Sequence, residues 1–231
     1  MILILLFPVI CFAYETIMVA PPTNGTFFYL ELEPSQYGVR YSSIKIKGQR
    51  ADLAFCTYNE QIVVPLANCT LCGVQHAVNM TDYPNALLSV DQNVFTYHSV
   101  FGGTQFQDNV VFGYVYHSLL DIPFVQAPDI SIFGYFFGVT QAQEPGYISQ
   151  TDGCIGLKPA DAYAAEYSFL NQIENSGLID HSVFSIHTNP LKAVSGNFLY
   201  KSYIKFGSMD TSAYIGQLSI IATTSNKEWA L

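Results

Sequence analysis

The stretch ADLAFCTYNEQIVVPLANCTLC, residues 51–72, decides how this chain is read. Alternation over DLAFCT (52–57) predicts a strand with Leu53 and Phe55 on one face and Asp52, Ala54 and Cys56 on the other. A polar turn leads into the apolar run QIVVPL (61–66). Pro65 is expected to end that run, because proline has no amide hydrogen to give a central strand. Behind it stand Cys69 and Cys72, close enough in sequence to close a tight loop. A Cys-x-x-Cys pair can also be a redox couple or part of a metal site, but here no second pair and no paired histidine accompany it. A structural disulfide is the reading adopted, with no metal and no cofactor.

The rest of the chain agrees with a strand-rich reading. It has 231 residues, enough for one large domain or two small ones, and 50% of them are hydrophobic. Phe and Tyr are abundant and Val and Ile recur in short runs, which favours strands over helices. With nine Lys plus Arg and a formal charge of −9, the surface repels phosphate backbones, so nucleic acid is excluded as a partner. The first thirteen residues, MILILLFPVICFA, are unbroken apolar sequence ending in a small residue, and 1–13 is read as a secretory signal peptide followed by a short segment, 14–25. No later run is long enough to be a transmembrane segment. Asn24, Asn68 and Asn79 head N-x-Thr triplets and are glycosylation candidates on a secreted chain. Removal of the signal leaves Cys56, Cys69, Cys72 and Cys154, for which an oxidising compartment permits bridges.

Strands are expected at 26–33, 39–48, 52–57, 61–66, 129–140, 152–159, 184–188, 202–210 and 217–223. In 39–48 the apolar alternation is read from Tyr41 through Ile44 and Ile46. Residues 94–105 and 106–118 read as a hairpin turning near Gly102-Gly103. One helix is expected over 161–179, with an apolar face through Tyr163, Tyr167, Leu170 and Ile173 and Gly177 as its cap.

Four stretches in order resemble the N-terminal lobe of pepsin-like aspartic proteases. FCTYNEQIVVPLANC (55–69) is similar to that family's F-D-T-G-S-S-N-L-W-V-P-S-x-x-C, with Phe55, Thr57, Val64, Pro65 and Cys69 in agreement. VFGGT (100–104) falls where the family has its flap. TDGCIGL (151–157), with SGLIDHSVFSIH (176–187) after the helix, resembles F-D-G-I-L-G-L and Q-G-L-V-x-x-x-F-S-x-Y. Residues 203–231 resemble the segment that closes the lobe. The resemblance implies a mostly β chain: residues 26–231 form a pepsin-like β-barrel lobe with one or two short helices, ending where a second lobe would begin. It implies peptide-bond hydrolysis as the family activity, a ligand bound as an extended peptide or protein segment, and a secretory route to an extracellular, lysosome-like or vacuole-like compartment.

The family's chemistry needs two carboxylates sharing one proton, one activating water and the other polarising the scissile carbonyl. Here Cys56 stands at the aspartate position of the motif, followed by Thr57 and by Tyr58 in place of glycine. Asn59 takes the place of a serine and keeps a hydrogen-bonding group. At the flap, Phe101 before Gly102 matches the family's tyrosine without its hydroxyl. A thiol cannot form a coplanar carboxylate pair, and a homodimer would place two Cys56 residues together with no acid. A nucleophilic Cys56 would need a base, and all five histidines are distant in sequence. Cys56 is therefore either a small buried residue or, since the two loops are close together in the family, bridged to Cys154. Asp52 and Asp152 are read as turn or surface carboxylates. The expected function is that of a pepsin-family endopeptidase homologue, inactive as this chain because Cys56 stands for the aspartate and the second lobe is missing, with a second lobe in trans as a candidate partner; the alternatives are a secreted non-enzymatic peptide- or protein-binding lobe and a fragment of a divergent protease.

Overall fold

A computed structural model describes residues 26–35, 39–57, 59–89, 92–101, 105–123, 129–142, 151–160, 165–188, 202–212 and 215–216, and of 94–101 and 105–110 the backbone alone. The signal-peptide reading, Asn24, Tyr58, the Gly102-Gly103 turn, Tyr163 and the strand expected at 217–223 lie outside these residues. The strands are β1 (Phe28–Pro34), β2 (Arg40–Ile46), β3 (Gln49–Cys56), β4 (Ile62–Thr70), β5 (Asn93–Phe101), β6 (Gln105–Ile122), β7 (Ile130–Ala142), β8 (Gly153–Gly156), β9 (Phe184–His187) and β10 (Ser202–Phe206), with one α-helix, α1 (Phe169–Asn175), among the described residues. The chain is mostly β, as its alternating sequence predicts.

The ten strands form one sheet in the order β5-β6-β7-β4-β8-β3-β2-β1-β10-β9, and a further pairing of β6 with β2 closes its middle portion on itself. That closure removes two edges from the barrel. The β5–β6 hairpin extends from one side, with Phe101 opposite Gln105 at its described end. The β1-β10-β9 ribbon extends from the other. Two pairings are parallel, β3 with β8 and β4 with β7, and they set the site described below.

Three sequence expectations change. In β2 the inward residues are Ser42, Ile44 and Ile46, whereas Tyr41 points away and donates its hydroxyl to Glu33. A step of three cannot stay on one face of a strand whose period is two. Pro65 does not end β4, which continues to Thr70 between β8 and β7. The missing amide hydrogen costs nothing there because β8 pairs only with Ile62 and Val63, and the Pro65 carbonyl accepts from Val78 N at 2.9 Å. Within the described part of the helix expected at 161–179, residues 165–179, the helix is confined to 169–175, with residues 165–167 in a turn. Ser168, in an extended conformation, accepts from Asn171 N and starts the helix there. Gly177, at φ 76°, ends it, with Gly177 N bonded to Glu174 O and Leu178 N to Ile173 O.

The side chain of Gln172 reaches from α1 to β7, where its amide accepts from Tyr135 N and donates to Tyr135 O. The main core lies between the barrel and the ribbon. At its centre Phe206 stacks on Phe28 with ring centroids 5.1 Å apart and meets Phe169 edge-on at 5.6 Å. Phe206→Ala should therefore lower unfolding stability by ~3–5 kcal/mol, read as a fall in the urea midpoint with an unchanged slope.

Candidate functional site

Strand β3 ends at the quoted stretch, and β8 runs parallel beside it with Ala54 opposite Cys154 and Cys56 opposite Gly156. Cys56 and Cys154 are thus two residues apart in register on one face, and their sulfurs are bonded across a Cα separation of 6.0 Å. The approach of β8 to β4 depends on Gly153, where a Cβ would stand 2.0 Å from the Val63 carbonyl oxygen. Both sulfurs sit in an apolar pocket with Val63, Val111, Phe137 and Val139. Asn59 Oδ1 lies 3.3 Å from Cys154 Sγ, a contact without a proton because the sulfur is in a disulfide. The Asn59 amide donates to Gln61 O and shapes the turn between β3 and β4. Thr57 is exposed in that turn. A buried disulfide presents neither a thiolate nor a carboxylate, so at this position the lobe holds no general acid, base or nucleophile.

Cys69 and Cys72 form a second bond. Cys72 is buried against the first pair, and the chain leaving it turns back at Gln75 and His76. Both amides donate to Asp152 Oδ1, at 3.1 and 2.9 Å. Asp52 N donates to Asp152 Oδ2 at 2.9 Å, and His76 Nδ1 lies 2.8 Å from that oxygen. Asp152 is 2% exposed, so its reading as a turn or surface carboxylate is corrected. It enters β8 at the point where β3 and the loop after Cys72 both lack strand partners for these amides, and it supplies the acceptors. Asp52 is corrected likewise: its carboxylate is half-buried and receives Arg50, at 2.7 and 2.9 Å, and the Ser43 hydroxyl.

Asp52, His76 and Asp152 place ligand atoms within 4.8 Å of one another, the kind of donor set that can hold a cation. The Arg50 guanidinium already supplies positive charge to Asp52, and four hydrogen-bonding partners already occupy the Asp152 oxygens. The cluster works as a hydrogen-bonded anchor. Sequence reasoning missed His76 entirely, because nothing local marks a histidine whose partner is 76 residues away.

Among the remaining sequence candidates, Phe101 closes β5, and Asn68 and Asn79 are both exposed. Asn68 is on β4 beside the second disulfide, whereas Asn79 has its Oδ1 bonded to Thr81 N in a short turn.

Burial alone would raise the Asp52 carboxyl pKa, but the hydrogen bonds from Arg50 and Ser43 outweigh it and hold the group below the ordinary range. Asp210 behaves the same way, burial being outweighed by the hydrogen bonds from Ser212 and Tyr203. A carboxylate favoured in this way adds stability that is complete above its unfolded pKa of about 4 and is lost as pH falls through the lower folded value. Unfolding stability should accordingly decline from about pH 5 downward, and Asp52→Asn should flatten that decline in denaturant titrations repeated across the acid range.

A sequence model described as eukaryotic aspartyl protease matches residues 100–231. Pepsin A of Suncus murinus is 31% identical over 111 residues, which are 46% of this chain and 27% of that protein. Pepsin A of Rhinolophus ferrumequinum is 29% identical over a stretch with the same coverage. The chain thus matches about a quarter of the length of these relatives, and the Cys56 stretch precedes the residues that the family model covers. No helix among the described residues is long and apolar enough to cross a membrane.

Proposed function

The chain belongs to the eukaryotic aspartyl proteases, and from that premise we propose that it is a pepsin-like lobe which binds extended peptide and does not itself supply a carboxylate for hydrolysis. The observation that carries the proposal is the Cys56–Cys154 disulfide at the end of β3, where the resemblance places the catalytic aspartate. An aspartic dyad needs two carboxylates close enough that they cannot both ionise. In this lobe the sulfur is covalently committed, and the two nearby acids, Asp52 and Asp152, are engaged by Arg50, Ser43, His76 and backbone amides. Neither is free to orient a water.

Peptide binding draws on different features. The β5–β6 hairpin extends from the barrel, and the resemblance reads its tip at Phe101 and Gly102 as the family's flap, beneath which a ligand would pair as an added strand. On this reading the turn after β3, tied down by the Cys56–Cys154 bridge, would be the floor of the cleft. A second lobe supplied in trans would complete that cleft without restoring the carboxylate absent from this lobe. Two disulfides support an oxidising environment on the secretory route, ending outside the cell or in a lysosome-like compartment, and there Asn24, Asn68 and Asn79 would be available for glycosylation.

Haemoglobin digestion at acid pH by the purified chain, with and without pepstatin, tests the proposal. The expected result is no pepstatin-sensitive cleavage above background, equally for the native chain and for Cys56→Ala. Pepstatin-sensitive hydrolysis by the pure chain would sink it. Non-reducing peptide mapping should return residues 56 and 154 in one linked fragment.

A further inference from the structure

Away from the disulfides, β6 and β7 carry a row of aromatic rings on their outer face. Tyr167 meets Tyr135 edge-on at 5.5 Å, Tyr135 stacks on His117 at 4.4 Å, and His117 leans on Phe133 at 5.8 Å. The row follows from register, since His117 is opposite Tyr135 and Leu119 opposite Phe133. Phe133, at its end, is 71% exposed.

The row ends at a pocket of about 410 Å³. It opens on the side of β6 away from β7, between the bridge of Leu87 to Tyr116 and the pairing of Ile46 with Leu120, where β6 pairs with no second strand among the described residues. His117 and Phe133 form one wall, and Tyr83 lines the pocket together with Asp82, Asn85 and Lys47 from the loop and turn that flank the gap. Lys47 Nζ lies 5.2 Å from the Tyr83 ring centroid, which commits part of its charge to that ring. Ser118 also lines the pocket, with its Oγ wholly buried.

We infer that this pocket is a binding site for a neutral glycosyl unit, stacked on the exposed face of Phe133 and hydrogen-bonded by Asp82 and Asn85. A pyranose presents one face of C–H groups, which suits an aromatic ring, and an edge of hydroxyls, which suits a carboxylate and an amide. The volume falls at the small end of the range for ligand sites and admits one or two sugar rings. The chain's charge of −9, and one lysine balanced in the pocket by Asp82, argue against an anionic or phosphorylated ligand. The site is independent of the peptide cleft and of the fate of Cys56.

The probe is a panel of methyl glycosides of glucose, galactose, mannose and N-acetylglucosamine, each at ~20 mM, read by saturation-transfer NMR on the full chain, a concentration suited to millimolar affinity. Phenylalanine serves as the zwitterionic control. At least one glycoside should bind, with affinity falling about tenfold or more in Phe133→Ala and in Asp82→Asn. Phe133 is exposed, so its loss leaves the core intact, and an unchanged circular dichroism spectrum verifies this. Absence of binding across the panel, binding that survives Phe133→Ala, or capture of phenylalanine in place of the glycosides would overturn the assignment.

Discussion

Asp152 joins three parts of the chain at one point. One carboxylate gathers the amide of Asp52 on β3 and those of Gln75 and His76 after the second disulfide, while its own amide bonds to Asp52 O. A buried carboxylate is tolerated only when its lone pairs are taken, and here they are. With β8 anchored at its start in this way, Gly153 can press against β4 and Cys154 arrives beside Cys56. The disulfide is thus a consequence of the anchor as much as a partner to it. Removing Asp152 would leave three amides without acceptors at the entry to β8.

The barrel was legible wherever a strand buries one face, because alternation in sequence records the environment directly. Leu53 and Ile44 show it. Legibility failed where a partner decides. Pro65 looks like a terminator until β8 is seen to stop two residues before it. The 161–179 run has helical composition throughout, yet Ser168 captures the amide that starts the helix and so shortens it. Asp152 reads as a surface acid because its partners stand 100 and 76 residues away. Cys56 was the opposite case: the oddness of a thiol in that position was plain in sequence, and its bridge to Cys154 was one of two readings left open.

The two faces of the lobe carry different chemistry. At the end of β3, two strands are joined by a covalent bond, which adds rigidity and leaves no free thiol at either cysteine. A crosslink spanning 98 residues constrains the unfolded chain far more than the bond closed over three between Cys69 and Cys72. The outer face of β6 and β7 is left with aromatic rings and a short gap in strand pairing.

Gln172 has a consequence for how the lobe behaves among copies of itself. β4 pairs with β7 only from Phe137 onward, so the first half of β7 has a bare edge on that side. The Gln172 amide meets Tyr135 N and O with one acceptor and one donor, as a peptide group of a neighbouring strand would. The helix thereby imitates one rung of a missing strand and shields a segment rich in Ile, Phe and Tyr from recruiting another molecule edge to edge. One side-chain amide thus stands where a further strand would otherwise add to this edge.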